Sequence, residues 1–406
     1  MKGLYLHYCV LIVLFAALSG CAARTASGPN PQAQGKPPAI EPGQVLAWDQ
    51  LAPVGEDQLA KALAGADVVV VGETHDHPGH HEAQLKIIRL MTDQGTPPVV
   101  GIEWLDHLAQ PACDALTSGS ITLEEFAKQA DWQSRWGYSL NLYGPILKYV
   151  REHRLSLRAL NAPLKVIRKV ARQGLESLTP EERAMLAPAL NLADPAYEEV
   201  LARQFQGHGV QGKTAKANFM AAQIGRDETM ASNLAQALYP WPDSAKKAVV
   251  LVGSAHFSHG RGLPPRIQRR LPGAKLVTFL PVSADKLKKA LERNQEGQSP
   301  ADYLMVTPAA PPRPPRLGIM IRPAKGGLLI EGVWPKGAAA KAGMKKGDIL
   351  KRVDGKPLTK PKDIHDAIKA APYESHRYMI TRGDKELVLD ITLADPHEAK
   401  PKHPRE

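Results

Sequence analysis

Cysteine is scarce in this chain. There are three in 406 residues, and two of them fall within the first 21. Cys9 lies in what reads as an export signal and Cys21 directly follows it as a lipidation site, so Cys113 alone would remain as a free thiol. No intramolecular disulfide is then expected, even in an oxidising compartment. Cys113 follows a proline in a helical context and reads as a small packed residue rather than a nucleophile. No C-x-x-C-H occurs, which excludes covalent attachment of a c-type haem. Walker, dinucleotide-glycine and G-x-S-x-G patterns are also missing, and with them the common nucleotide and serine-hydrolase chemistries. Aromatic residues make up only 5% of the chain, too few for base-stacking platforms. The net charge of +11 is spread over helix faces and the C-terminal third rather than gathered in one stripe, so no nucleic-acid partner is expected. The longest N-terminal apolar stretch, Cys9 to Leu18, is too short to span a bilayer.

That stretch, with Lys2 ahead of it, instead reads as a signal peptide over 1–20. Leu18-Ser19-Gly20-Cys21 has the form of a bacterial lipobox, which makes the Cys21 thiol the lipidation site and the lipid the link to the membrane. Ala22 follows, not an aspartate retention signal, and similarity to Gram-negative lipoproteins then favours the outer membrane. Residues 21–44, rich in Pro, Gly, Ala, Gln and Ser, read as a flexible tether.

From Val45 to about 295, strand-like apolar runs alternate with helix-like segments. The fold class expected is α/β, a mainly parallel sheet flanked by helices, with a helical subdomain between Asn161 and Lys247. Four of the runs end in groups that do chemistry. Asp67–Gly72 leads into Glu73-Thr74-His75, and Val99–Ile102 into Glu103. Leu155–Leu160 leads into Asn161, and Val249–Gly253 into Ser254-Ala255-His256. Parallel strands would bring these groups to one crevice at their carboxyl ends. Gly72 is read as the point where the chain turns sharply off its strand. His77, His81 and Gln84 or Leu85 then follow at helical spacing, with His80 one position away. Imidazoles so spaced, with carboxylates beside them, suit a divalent metal, and His75 and His256 are its first candidates. Asp227, His259 and Tyr138 complete the candidate pocket, and a tyrosinate such as Tyr138 is a known type of axial haem ligand.

Taken in order, GETHDHPGHH, GIEW, WGY, ALNAP, RDETMA and LVGSAH resemble the ChaN-like haem-binding lipoproteins, part of a wider group with erythromycin esterases and Tiki-type metalloproteases. The resemblance spans Val45 to Val282. It implies a lipid-anchored protein that binds haem or iron outside the inner membrane and assists iron acquisition. Matching positions are Glu73, His75, Glu103, Asn161, Asp227 and His256. The extra histidines at 77, 80 and 81 depart from the family pattern. A flat cofactor wants an open face, which the helices after Asn161 or a second subunit would cover. The alternative is a metal-assisted or His/Glu-based hydrolase of the envelope, with Glu73, His75, Glu103 and His256 as its working groups.

A proline-rich linker is expected over 296–316, since TPAAPPRPPR favours extended polyproline II. Beyond it, G-x-A-x-x-A-G-x-x-x-G-D-I-x-x-x-V-D-G, from Gly337 to Gly355, resembles a PDZ domain of the bacterial protease-associated type. The resemblance implies a small β-rich domain over 317–395, followed by a tail at 396–406. Leu317, Gly318, Ile319 and Met320 match its carboxylate-binding loop, while Ile364 and Ile368 would line the side-chain pocket. The partner implied is a protein C-terminus or an extended peptide, and a third reading makes the chain an adaptor.

Overall fold

The computed structural model describes residues 40–205, 212–242, 245–292, 299–310, 317–335, 337–368, 371 and 373–393. The expected signal peptide, Cys21, most of the tether and the tail at 396–406 lie outside the described residues. Among those described, no helix is long and apolar enough to cross a membrane.

Eight strands form the first sheet: β1 (Val45–Ala47), β2 (Ala52–Pro53), β3 (Val68–Glu73), β4 (Val99–Asp106), β5 (Leu157–Asn161), β6 (Ala248–Gly253), β7 (Leu276–Ser283) and β8 (Tyr303–Thr307). Their order is β2-β1-β8-β7-β3-β6-β4-β5. The six strands from β8 to β5 run parallel, and β1 closes the edge antiparallel to β8 and β2. β3 shows why its sequence is apolar throughout. Val69 and Val71 pack on one face with Ile87, Ile88 and Met91 of the helix Pro78–Asp93. Val68 and Val70 pack on the other with Met230, Ala231 and Leu234 of the helix Lys213–Ala237. A strand covered on both sides has no solvent face to alternate with.

The expected boundary at 295 falls too early. Tyr303–Thr307, placed in the linker on composition, is strand β8, paired with β7 and β1. Its residues YLMVT are mostly buried, and the proline-dense run begins only after them. The expected helical part is present, as Leu164–Gln173, Pro180–Ala184, Pro195–Phe205 and Lys213–Ala237.

The second sheet is antiparallel. It contains β9 (Ile319–Ala324), β10 (Gly327–Val333), β11 (Ile349–Val353), β12 (Lys356–Pro357), β13 (Ser375–Arg382) and β14 (Lys385–Thr392), in the order β14-β13-β11-β10-β9 with β12 on β11. Asp354 and Gly355 both take positive φ (49° and 77°) in the two-residue turn joining β11 to β12, as a D-G hairpin signal requires. Leu328, Ile330, Leu350, Tyr378 and Ile380 are fully buried at its centre.

Candidate functional site

The carboxyl ends of β3, β6, β4 and β5 lie side by side, so the four chemistry-bearing run ends do meet. Glu73 is the last residue of β3 and is buried. Its Oε1 lies 2.7 Å from His75 Nδ1, and its Oε2 lies 3.1 Å from His81 Nδ1. Tyr143 donates its hydroxyl to the His75 carbonyl at 2.9 Å. Burial alone would raise the Glu73 pKa, but the hydrogen bonds from His75 and His81 outweigh it and hold the group below the usual value. His81 is shifted upward by the same pairing, against the pull of its own burial. A carboxylate that accepts from His75 Nδ1–H fixes the tautomer and leaves Nε2 as the ring's open donor atom.

His75 is partly exposed. It lines a cleft of about 220 Å³ with Glu103, Trp136, Tyr138, Asn161 and Arg226. The His75 ring lies edge-on to Trp136, centroids 4.7 Å apart, and 5.2 Å from the Tyr138 ring. Gly253 makes room for it, since a Cβ there would come within 2.8 Å of His75 Cε1.

The cleft-lining Glu103, Asn161 and Arg226 belong to a charged network that continues into the interior. Glu103 Oε2 accepts the Gly253 amide at 2.6 Å, and Oε1 takes Arg226 together with His256 Nε2, the latter at 3.2 Å. Asn161 Nδ2 donates to the Glu103 carbonyl at 2.9 Å, and Arg226 Nε donates to Asn161 Oδ1. His256 Nδ1 lies 2.5 Å from Asp227 Oδ1, whose other oxygen accepts from the Tyr197 hydroxyl at 2.6 Å. Burial would lower the His256 pKa, yet Glu103 and Asp227 together raise it to about 9. Burial would raise the Glu103 pKa, but the charges of His256 and Arg226 hold it well below the carboxylate range. At neutral pH this network therefore holds an imidazolium and a guanidinium against two carboxylates.

Several expectations need correcting. His75 and His256 do not form a shared metal site, because both ring nitrogens of His256 are taken by carboxylates. Among the described residues, no three His, Cys, Asp or Glu side chains group to hold a metal ion. Asp227 orients His256 from below and does not line the cleft. His77 occupies the N-cap position of the helix Pro78–Asp93 without a side-chain cap bond, and its ring stacks on His80, centroids 3.9 Å apart. Burial and the neighbouring His77 and His81 push His80 down to about 3, and its Nδ1 accepts the Thr74 amide. His259 has a left-handed backbone, its amide donates to the Pro300 carbonyl, and it does not line the cleft. Gly72 makes no turn, since it lies within β3. A Cβ there would sit 2.6 Å from Ser254 Oγ and 2.8 Å from the buried Phe257 ring. Gly72→Ala should therefore cost about 1–3 kcal/mol in chemical denaturation, the usual range for overpacking. Cys113 fits its reading as a packed residue: it is buried, and burial pushes its thiol up to about 12.

Arg226 and Arg135 were not singled out from sequence. Arg226 directly precedes Asp227, but only the tertiary fold shows that it reaches Glu103. Arg135, one position before Trp136, pairs with Asp106 at the cleft edge.

In the second sheet, β9 is an edge strand, so its outer side is open to a further strand. Beside it runs an apolar groove of about 660 Å³, lined by Leu317, Gly318, Ile319, Ile321, Ile364 and Ile368. Gly318 has φ +79°, and a Cβ there would approach Gly337 Cα to 3.0 Å. Met320 does not line the groove. Side chains alternate along β9, and Met320 is exposed beside Gly332.

Comparison with known proteins agrees with this geometry. Residues 59–267 match the family described as haem-binding uptake, Tiki superfamily, ChaN, and residues 329–382 match the PDZ domain family. The solved structure titled cofacial heme binding to ChaN of Campylobacter jejuni is similar in fold. It is 18% identical, with a TM-score of 0.50 over 64% of this chain and 95% of that one. Protein RETICULATA-RELATED 5, chloroplastic, of Arabidopsis thaliana is 30% identical over 181 residues, 42% of this chain. Magnetosome formation protease MamE of Magnetospirillum gryphiswaldense is 39% identical over 57 residues, 14% of this chain. The matches span only 24% and 7% of those two curated relatives.

Proposed function

The chain belongs to the ChaN family of haem-binding uptake proteins in the Tiki superfamily, and we propose that its α/β domain binds haem at the His75 cleft. The observation that carries this reading is the state of His75. Glu73 holds its Nδ1, while Nε2 belongs to the partly exposed ring beside Trp136 and Tyr138. An oriented imidazole donor with aromatic flanks at an open cleft suits a flat, apolar, iron-bearing ligand. Haem, once bound, supplies a ligand-accepting iron. The protein's part is to present His75, with Tyr138 as the neighbouring oxygen donor, and to limit access. Titration of residues 22–406 with haemin should give a saturable Soret shift. A linear, unsaturable absorbance would refute the reading.

Lipid attachment at Cys21, placement at the outer membrane and a part in iron acquisition complete the proposal. They are supported by the Leu18–Cys21 motif and by family membership. For the PDZ domain we propose capture of a protein C-terminus on the open edge of β9, with its last side chain in the groove beside Ile364 and Ile368. Ile368→Asp should lower affinity for a peptide ending in a free apolar residue about tenfold or more in fluorescence polarisation. Amidation of that terminus should weaken binding similarly, and indifference to both changes would contradict this mode.

One observation favours a second reading. Glu73 and His75 also have the geometry of a carboxylate-oriented general base, with Nε2 available to accept a proton. A hydrolase of this kind would lose turnover in both His75→Ala and Glu73→Gln and would show no dependence on haem.

A further inference from the structure

The helix Leu164–Gln173 has two unlike sides. Val166, Ile167 and Val170 are buried, whereas Lys165, Arg168 and Arg172 are exposed, with spacings that share a helix face. This basic side borders a groove of about 610 Å³ that the haem reading alone does not use. Asp106, Arg135 and Leu164 line both this groove and the His75 cleft, so the two adjoin. Leu108, Pro163, Leu164 and Met185 contribute apolar surface.

Charge in the groove is unbalanced. Asp106 pairs with Arg135, and Glu182 pairs with Lys169 at 2.5 Å. Asp131 is the remaining lining acid, against Lys165, Arg168 and Arg172. Arg135 Nε is also buried without a hydrogen-bond partner. Arg168 and Arg172 lie about 6 and 12 Å along the helix from Leu164, which borders the His75 cleft. A cationic groove with an apolar strip, adjoining a site with an imidazole donor, complements a flat molecule with anionic groups on one edge.

We infer that this groove receives the two carboxylates of haem, with Arg168 and Arg172 as their principal partners. The inference rests on the haem reading and assigns the orientation of the ligand in the site. Guanidinium groups suit carboxylates because their paired N–H donors match the two oxygens.

The test compares haemin with its dimethyl ester on the full chain, followed at the Soret band. The proteins are the wild type, Arg168→Glu/Arg172→Glu and Arg168→Lys/Arg172→Lys. Charge reversal should weaken haemin binding about tenfold or more and leave the ester unchanged, while the lysine pair stays within about threefold of wild type. Haemin affinity of the wild type should also fall with added salt. Equal affinity of the wild type and the glutamate pair for haemin would overturn the groove assignment and leave haem binding at His75 standing. Equal losses for haemin and ester would overturn it as well, since they would mark a structural effect. If wild type binds no haemin, the haem reading fails and this inference with it. Iron-free protoporphyrin separates the two claims further, because its binding should depend on Arg168 and Arg172 and not on His75.

Discussion

Replacing His75 with alanine is expected to weaken haemin binding by more than about 100-fold while leaving the thermal unfolding midpoint close to that of the wild type. The reasoning starts from where the ring sits. His75 is partly exposed at the rim of the cleft, so its loss removes a donor and opens no large cavity. Glu73 is the supporting group, and losing a supporting hydrogen bond typically costs about 10- to 100-fold in affinity. Glu73→Gln should therefore fall between wild type and His75→Ala. Titration at the Soret band measures both variants. Unchanged affinity in His75→Ala would move the donor role to Tyr138, whose ring is 5.2 Å away.

Asp227→Ala should act on the fold first. It removes one of the two carboxylates that hold His256 charged and strands the buried Tyr197 hydroxyl. Breaking a buried ion pair by removing one partner typically costs about 3–5 kcal/mol. Chemical denaturation near pH 6 should show a loss of that order, and a loss under about 1 kcal/mol would contradict the described network. The wild type should also carry a pH signature. His256 rises from an ordinary value of 6.5 to about 9, so its contribution is complete below 6.5 and is lost as pH climbs through about 9. Glu103 is held below its ordinary value of 4.5, so its contribution is complete above 4.5 and is lost as pH falls through its lowered pKa. Both contributions are fully present between about pH 4.5 and 6.5. Titration of the His256 ring by NMR should show it protonated at pH 7.5 in the wild type and displaced downward in Asp227→Ala.

The parallel strands were readable because each is covered on both faces and so has a nearly unbroken apolar run. Their polar ends stood out for the same reason. β8 was not readable as part of the domain, because YLMVT adjoins the prolines and its pairing with β7 is a tertiary fact. Side-chain direction was the larger loss. His77, His80 and His81 lie within five positions, yet the helix start at Pro78 sends His81 toward Glu73 and stacks His77 on His80. His256 looked like a ligand because it follows a strand, but only the fold reveals the carboxylates that occupy both its nitrogens. Gly72 and Gly253 had a reason to be glycine that no local pattern shows: the close approach of Phe257 in one case and His75 in the other. The PDZ region was the most legible, because its turns demand particular residues at fixed offsets.

Resonance Raman spectroscopy of the haemin-loaded, reduced chain tests the central claim most directly. A histidine–iron mode in the wild type, absent from His75→Ala and retained in Tyr138→Phe, is the expected result. A spectrum without that mode, or one that persists in His75→Ala, would contradict the assignment of His75 as the donor over the strand ends.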